Sequence, residues 1–134
     1  ATAPGAEGGF PVSRVLVIED NDQNMYLLTF ILGKMGHEVL QAVTGELGVE
    51  AAELERPDLV LMDIQLPGID GYEATRRIRA SSSARHVPIV AVTSFAMTGD
   101  RERLLAAGCT GYIEKPIDPD TIVAQLAAFL GERP

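Results

Sequence analysis

The chain has 134 residues, a length that suits one compact domain with its own hydrophobic core. Hydrophobic residues make up 46% of it, which argues against disorder over the whole length. The formal net charge of -8 argues against a nucleic-acid backbone as the main partner, because phosphates are bound by Lys and Arg. A single cysteine, Cys109, excludes an internal disulfide; it is compatible with a reducing cytoplasm, and we expect it to be a small buried apolar residue.

The two ends of the chain differ in composition from the rest. Residues 1–13 are rich in Ala, Gly and Pro and lack the basic start and apolar centre of a secretory signal. We interpret them as a flexible N-terminal tail, and residues 131–134 as a short C-terminal tail. No stretch approaches the apolar length that spans a bilayer. We therefore predict a single cytoplasmic domain over residues 14–130.

Apolar, β-branched runs alternate with longer helical patterns throughout this domain. Three of the runs are almost entirely apolar, which is typical of a parallel sheet covered by helices on both faces. The run at 37–42 is more polar and is predicted to be an edge strand. Strict alternation indicates a right-handed, doubly wound α/β fold. The predicted strands are 14–19, 37–42, 58–63, 88–93 and 111–114, and the predicted helices are 21–35, 44–55, 71–80, 98–107 and 119–130.

Capping residues support these limits. Thr44 and Thr98 are predicted to cap the second and fourth helices, and Asp118 stands before a proline at the start of the fifth. Gly36 and Gly108 follow helical patterns and favour a left-handed helix stop.

Four of the predicted strands end in polar residues. Glu19 and Asp20 follow the first strand, Asp63 ends the third, Thr93 ends the fourth, and Lys115 follows the fifth. In open parallel sheets, ligands bind beyond the carboxyl ends of the strands, so we expect these side chains to form one pocket. Taken singly, each residue has an ordinary alternative: a helix cap, a surface lysine, or a threonine bonded to backbone.

The chemistry of this pocket follows from its charge. Three carboxylates close together need a compensating cation, and hard oxygen ligands select Mg²⁺, Mn²⁺ or Ca²⁺ over Zn²⁺. A carboxylate can also act as a nucleophile toward phosphorus. The residues therefore indicate a site that receives a phosphoryl group beside Mg²⁺, with Lys115 and Thr93 as its ligands.

The motifs that carry this pocket resemble one family. They are the sequences Val17–Asn21 (VIEDN), Asp63–Gly68 (DIQLPG), Ala91–Thr93 (AVT) and Tyr112–Pro116 (YIEKP). Together, over residues 14–130, the chain resembles the response-regulator receiver domains (CheY-like) of two-component signalling. The resemblance implies a five-stranded parallel sheet of flavodoxin-like order 2-1-3-4-5 with five helices.

The resemblance also implies roles for individual residues. Asp63 is expected to be the phosphoacceptor. Mg²⁺, for which Mn²⁺ can substitute, is expected to bind Asp20, Asp63 and the backbone carbonyl of Gln65 directly, and Glu19 either directly or through water. Thr93 and Lys115 are expected to bind the phosphoryl group. Thr93 and Tyr112 are expected to form a switch, although Tyr112 could equally be a plain core residue. The Lys115–Pro116 bond is expected to be cis.

Expected partners follow from the same resemblance. The phosphodonor is a histidine kinase or a histidine phosphotransfer protein, and the output is a downstream protein, with no nucleic acid and no membrane insertion. The chain is either a single-domain regulator or the receiver of a hybrid histidine kinase. It is expected to catalyse only its own phosphorylation and dephosphorylation. A docking patch of Asn24, Leu27, Pro116 and Ile117 is one interpretation of the apolar first helix; a broad core stripe is the other.

Three alternatives of other classes remain at this point. A flavin-binding module would need a Ser/Thr/Gly loop after the first strand, where Glu19-Asp20-Asn21-Asp22 would repel phosphate. A phosphatase of the haloacid dehalogenase type would need a second Asp where Gln65 stands. A phosphate-independent binding module would not need the complete site.

Finally, a bulky Phe95 beside the pocket predicts slow loss of the phosphoryl group.

Overall fold

The computed structural model describes residues 13–131. All ten predicted elements are present there, and none of their ends differs from the prediction by more than one residue. The predicted tails lie outside the described residues except for Ser13 and Gly131, so their assignment stays a prediction. In chain order the elements are β1 (Arg14–Ile18), α1 (Asp22–Lys34), β2 (Glu38–Ala42), α2 (Gly45–Glu55), β3 (Leu59–Asp63), α3 (Gly71–Ala80), β4 (Ile89–Thr93), α4 (Thr98–Ala107), β5 (Gly111–Glu114) and α5 (Pro119–Phe129).

The five strands form one parallel sheet in the order β2-β1-β3-β4-β5. This confirms the flavodoxin-like topology, with the polar strand β2 at an edge as predicted. The register pairs Ile18 with Met62, Asp63 with Val92, and Thr93 with Glu114. The carboxyl ends of β1, β3, β4 and β5 therefore lie at one edge of the sheet, and the strand order reverses between β1 and β3.

The core consists of two apolar layers, one on each face of the sheet. Alternate residues of β1 enter different layers: Val15 and Val17 pack on one side, Leu16 and Ile18 on the other. The first layer is closed by α1 and α5, and the second by α2, α3 and α4. Cys109 is buried in the second layer, which confirms the expectation that it is a small core residue.

Most of the predicted helix limits are set by the expected groups. The side chains of Thr44 and Asp118 accept hydrogen bonds from the first turns of α2 and α5. Gly36 (φ 90°) and Gly108 (φ 112°) adopt the left-handed conformation. The prediction for Thr98 is wrong: it is the first helical residue of α4, and Met97 precedes it as the cap.

The cap of α4 is made by a residue inside the helix. The backbone N–H of Met97 donates to the Asp100 carboxylate (3.3 Å), so an acid of the first turn reaches back to the helix start. An acid at this position also interacts favourably with the helix dipole. Because Asp100 supplies this acceptor, α4 begins without a hydroxyl at its cap position.

Candidate functional site

The structure brings the predicted acidic residues and the lysine together at the carboxyl edge of the sheet. Carboxylate oxygens of Glu19, Asp20 and Asp63 all lie within 4.8 Å of one another. The Nζ atom of Lys115 lies 3.1 Å from Glu19 Oε1 and 3.3 Å from Asp63 Oδ1. Four residues from three loop or strand ends thus form one charged cluster, and the surface-lysine alternative for Lys115 does not hold.

The cluster contains more negative than positive charge, and two of its carboxylates are buried. Glu19 is 1% exposed and Asp63 is 4% exposed, whereas Asp20 is exposed to solvent. Burial is the largest effect raising the pKa of Asp63, and the hydrogen bond and negative charge of Glu19 raise it further. Lys115 lowers the same pKa but does not offset these effects. One ammonium group faces three carboxylates, so the cluster favours an additional cation.

Backbone amides orient the two buried carboxylates. The N–H of Asn21 donates to Glu19 Oε2 (3.1 Å), and the N–H of Gln65 donates to Asp63 Oδ1 (3.2 Å). The other oxygen of Glu19, Oε1, accepts no hydrogen bond among the described residues, although it forms the ion pair with Lys115. A buried carboxylate oxygen with this unused acceptor capacity fits a metal ligand, because buried polar atoms are normally paired.

The donor set of this cluster matches a hard divalent cation. Its ligands are carboxylate oxygens, without a sulfur or imidazole among the clustered groups. Mg²⁺ is bound in proteins by one or two carboxylates together with waters and phosphate oxygens. The residues present therefore fit Mg²⁺, as the sequence predicted.

Thr93 lies at the same edge, but its hydroxyl is engaged by backbone in this conformation. The side chain is buried, and Oγ1 accepts from the Phe95 N–H (3.0 Å) and donates to the Phe95 carbonyl (3.4 Å). The Thr93 carbonyl accepts from the Lys115 N–H (2.8 Å), which ties the end of β4 to the lysine. The backbone-bonded alternative for Thr93 thus describes this conformation, and a bond to phosphate requires its hydroxyl proton to turn away from Phe95.

Tyr112 is half-buried and packs against the core layer of α2, α3 and α4. The guanidinium of Arg101 lies over its ring, 5.0 Å from the centroid. The same guanidinium forms an ion pair with Glu114. Arg101 was not predicted from the sequence, because an arginine on an exposed helical face carries no local signal of a contact on a strand. The Lys115–Pro116 bond is cis, as expected.

The first helix uses only part of its apolar surface for the core. Leu27 is half-buried, and it packs with Ile117 against the layer that α1 and α5 close. Asn24 is half-buried and Pro116 is exposed. The inward face of α1 is formed by Met25, Leu28, Ile31 and Leu32. The aromatic rings of Tyr26 and Phe30 are exposed and stack on each other, so α1 does carry apolar surface beyond the core stripe.

A cleft opens beside the acidic cluster. It has a volume of about 300 Å³ and lies between the loops that follow β3 and β4. Phe95, which is half-exposed, and the exposed residue Gln65 both line it. Two of its lining residues, Ile64 and Gln65, directly follow Asp63 in the chain. The lining residues are Ile64, Gln65, Asp70, Tyr72, Phe95, Asp100 and Arg103.

Fold, cluster and motifs together define a class. The family described as the response regulator receiver domain matches residues 15–127, and the chain belongs to that family. It is a receiver-domain protein of two-component signalling. This assignment favours a signalling protein over the flavin and phosphatase alternatives.

Individual relatives share most of their length with this chain. The polar-differentiation response regulator DivK of Brucella anthropi is 40% identical over 118 residues, which cover 88% of this chain and 96% of that protein. The receiver domain of the sensor histidine kinase PA1611 from Pseudomonas aeruginosa has a TM-score of 0.82 at 39% identity, covering 90% of this chain and 99% of that one. That structure has a magnesium ion coordinated in its active site cleft. The chemotaxis response regulator CheY4 of Vibrio cholerae superposes with a TM-score of 0.84 at 25% identity, covering 88% and 98% of the two chains. Within residues 13–131, no helix combines the length and apolar character required to cross a membrane.

Proposed function

We propose that Asp63 accepts a phosphoryl group from the phosphohistidine of a histidine kinase or of a histidine phosphotransfer protein. A carboxylate oxygen of Asp63 attacks phosphorus, the bond between phosphorus and the histidine nitrogen breaks, and the nitrogen retains the electron pair. The product is an aspartyl-phosphate. The observation that carries this proposal is the buried Asp63 carboxylate, held within reach of Glu19, Asp20 and Lys115 at the carboxyl edge of the sheet.

The hydrogen bonds around Asp63 distinguish its two oxygens. Both the Gln65 amide and the Lys115 ammonium contact Oδ1. These contacts hold the carboxylate plane and reduce the nucleophilicity of that oxygen. We therefore assign Oδ2 as the attacking atom. Lys115 is then placed to bind an oxygen of the phosphoryl group once the bond has formed, and the Thr93 hydroxyl is the donor to another.

Mg²⁺ is the proposed cofactor, with Mn²⁺ as a substitute. Glu19, Asp20, Asp63 and the backbone carbonyl of Gln65 would hold it. When bound, the cation neutralises carboxylate charge and lets a phosphoryl dianion approach the cluster. The magnesium ion in the related PA1611 receiver and the unused acceptor capacity of Glu19 Oε1 support this assignment.

Signalling requires two kinds of partner: a phosphodonor, and a downstream protein that binds the phosphorylated chain. We infer that the donor docks on Asn24, Leu27, Pro116 and Ile117, because Leu27 and Ile117 belong to the same core layer and remain partly accessible. The output is a downstream protein that reads a surface changed through Thr93 and Tyr112. The protein acts in the cytoplasm and catalyses only its own phosphorylation and dephosphorylation.

Intact mass spectrometry tests the proposal. The protein is incubated with acetyl phosphate and Mg²⁺, and the phosphate adduct is expected on the wild type and not on Asp63→Asn. Chelation of Mg²⁺ should prevent the adduct on the wild type. Absence of an adduct on the wild type with both acetyl phosphate and a histidine kinase would contradict the proposed function.

The docking patch needs a separate variant. Leu27→Arg places a charge on the partly buried surface of α1, so it should slow transfer from the kinase while leaving transfer from acetyl phosphate unchanged. Equal rates of transfer from the kinase to the wild type and to Leu27→Arg would contradict the patch and leave the phosphorylation site intact.

A further inference from the structure

Arg101 on α4 binds three groups with one guanidinium. Its Nε donates to the Ala96 carbonyl (2.7 Å), and its Nη2 lies 3.6 Å from Glu114 Oε1. The guanidinium carbon lies over the Tyr112 ring, 5.0 Å from the centroid. A planar guanidinium can make a hydrogen bond, an ion pair and a stacking contact at once, which an ammonium cannot do equally well.

These three groups adjoin the two residues expected to bind the phosphoryl group. Ala96 directly follows Phe95, whose backbone holds the Thr93 hydroxyl. Glu114 directly precedes Lys115 in the chain. Arg101 therefore links the segment after Thr93 to the segment before Lys115 through its contacts with Ala96 and Glu114.

We propose that Arg101 is a positioning residue that holds Thr93 and Tyr112 in the conformation described here and opposes its exchange for a phosphoryl-bound one. The inference rests on the proposed function, in which the Thr93 hydroxyl must donate to the phosphoryl group. In this structure the Thr93 hydroxyl donates instead to the Phe95 carbonyl, at an oxygen–oxygen distance of 3.4 Å. Because Arg101 fixes the neighbouring Ala96 carbonyl, the turn after Thr93 resists the rearrangement that releases the proton. Phosphorylation of Asp63 would therefore have to break contacts that Arg101 makes with Ala96, Glu114 and Tyr112.

The size of this restraint follows from its exposure. The Arg101 and Glu114 side chains are 48% and 59% exposed, so the ion pair alone contributes little. The stacking contact and the charge-assisted hydrogen bond add to it, and we expect loss of all three to shift the conformational equilibrium by roughly three- to tenfold. A ligand that binds only the phosphorylated-like conformation gains affinity by the same factor.

Beryllofluoride, which mimics the phosphoryl group on a carboxylate, is a suitable probe. Its apparent affinity in the presence of Mg²⁺ is measured for the wild type, Arg101→Met and Arg76→Met. Arg76 is an exposed arginine on α3 that pairs with Glu73, so its variant removes the same charge elsewhere on the surface. Arg101→Met should bind beryllofluoride roughly three- to tenfold more tightly and accept phosphate from acetyl phosphate faster, while Arg76→Met should match the wild type.

Two further variants separate positioning from a purely structural role. Glu114→Gln removes one partner of Arg101 at an exposed position and should change the affinity in the same direction by a smaller factor. Combined with Thr93→Ala, the Arg101→Met effect should disappear, because Arg101 acts through the Thr93 hydroxyl. A lower thermal midpoint without tighter binding would identify a stabilising contact only.

The failures of the two proposals are distinguishable. A wild type that takes up neither beryllofluoride nor phosphate would overturn the proposed function. A wild type that loads normally, with unchanged or weaker binding by Arg101→Met and Glu114→Gln, would overturn only the role of Arg101. The same affinity gain in the Thr93→Ala background would also overturn it.

Discussion

Gly71 provides the sharpest test of how the fold supports the site. It begins α3 directly against the strand end that carries Asp63, and its N–H donates to the Ile64 carbonyl (2.9 Å). A Cβ atom at this position would lie 2.5 Å from the Asp63 carbonyl oxygen and 2.6 Å from Ile64 Cα. Both are backbone atoms, and non-bonded carbon atoms normally approach to about 3.5 Å. The added methyl group would thus overlap the β3–α3 connection by roughly 1 Å.

The predicted result is a loss of both stability and phosphorylation. Overpacking of this kind costs about 1–3 kcal/mol, and we expect the upper part of the range for Gly71→Ala because backbone atoms cannot rotate away. Displacement of the connection also moves Asp63 and the Gln65 amide, so phosphorylation of the folded variant should slow. Urea unfolding followed by far-ultraviolet circular dichroism measures the first effect, and the rate of adduct formation from acetyl phosphate measures the second.

Gly33→Ala is the matched control for this experiment. Gly33 lies within α1, and a Cβ there would meet no atom within 4 Å. Alanine should therefore raise stability by up to about 1 kcal/mol through helix propensity. If the free energies of unfolding of Gly71→Ala and wild type agree within about 0.5 kcal/mol, the packing argument is wrong. Normal phosphorylation by a clearly destabilised Gly71→Ala would contradict only the link to Asp63.

Three further predictions concern the pocket and the core. Mg²⁺ should raise the thermal midpoint, because only the folded chain assembles the acidic cluster, and Asp20→Asn should weaken this shift; a midpoint insensitive to Mg²⁺ would contradict the metal site. Phe95→Ala should shorten the half-life of the aspartyl-phosphate, followed by intact mass after the donor is removed, and a longer half-life would refute shielding by the ring. Burial raises the pKa of the Cys109 thiol, so the folded chain keeps a proton that the unfolded chain loses above pH about 8.5. Stability should therefore fall as pH rises through that value, and less steeply in Cys109→Ala when urea midpoints are compared.

The sequence was sufficient to predict where the charged groups of the site lie, but not which hydrogen bonds the neighbouring Thr93 hydroxyl makes. A polar residue ends or follows each of these apolar strands, and parallel pairing places the carboxyl ends of the strands at one edge of the sheet. For this reason the sequence alone predicted that Glu19, Asp20, Asp63 and Lys115 lie together. The hydrogen bond of the Thr93 hydroxyl to the Phe95 carbonyl depends on the backbone turn that follows Thr93. No residue pattern in the sequence predicts that turn.

Contacts between elements were the least predictable feature. Arg101 reaches Tyr112 and Glu114 only because α4 packs beside β5, and helical periodicity marks Arg101 merely as exposed. The misassigned cap of α4 has a related cause: a hydroxyl at Thr98 and a carboxylate at Asp100 are both suitable acceptors, and the backbone geometry selected the second.

The charges of the site explain why its ligands would act in a fixed order. Lys115 contacts both Glu19 and Asp63, so its single positive charge cannot neutralise the two buried carboxylates. Asp20 adds a third negative group at the solvent side. A phosphoryl dianion approaching this cluster alone would be repelled, so in the proposed function a divalent cation would have to bind before transfer. An attached phosphoryl group would add negative charge, which would attract the Lys115 ammonium and the Thr93 hydroxyl proton together. If Arg101 acts as proposed, phosphorylation would also displace the two chain segments that Arg101 contacts, and stronger Arg101 contacts would make the conformational shift less complete.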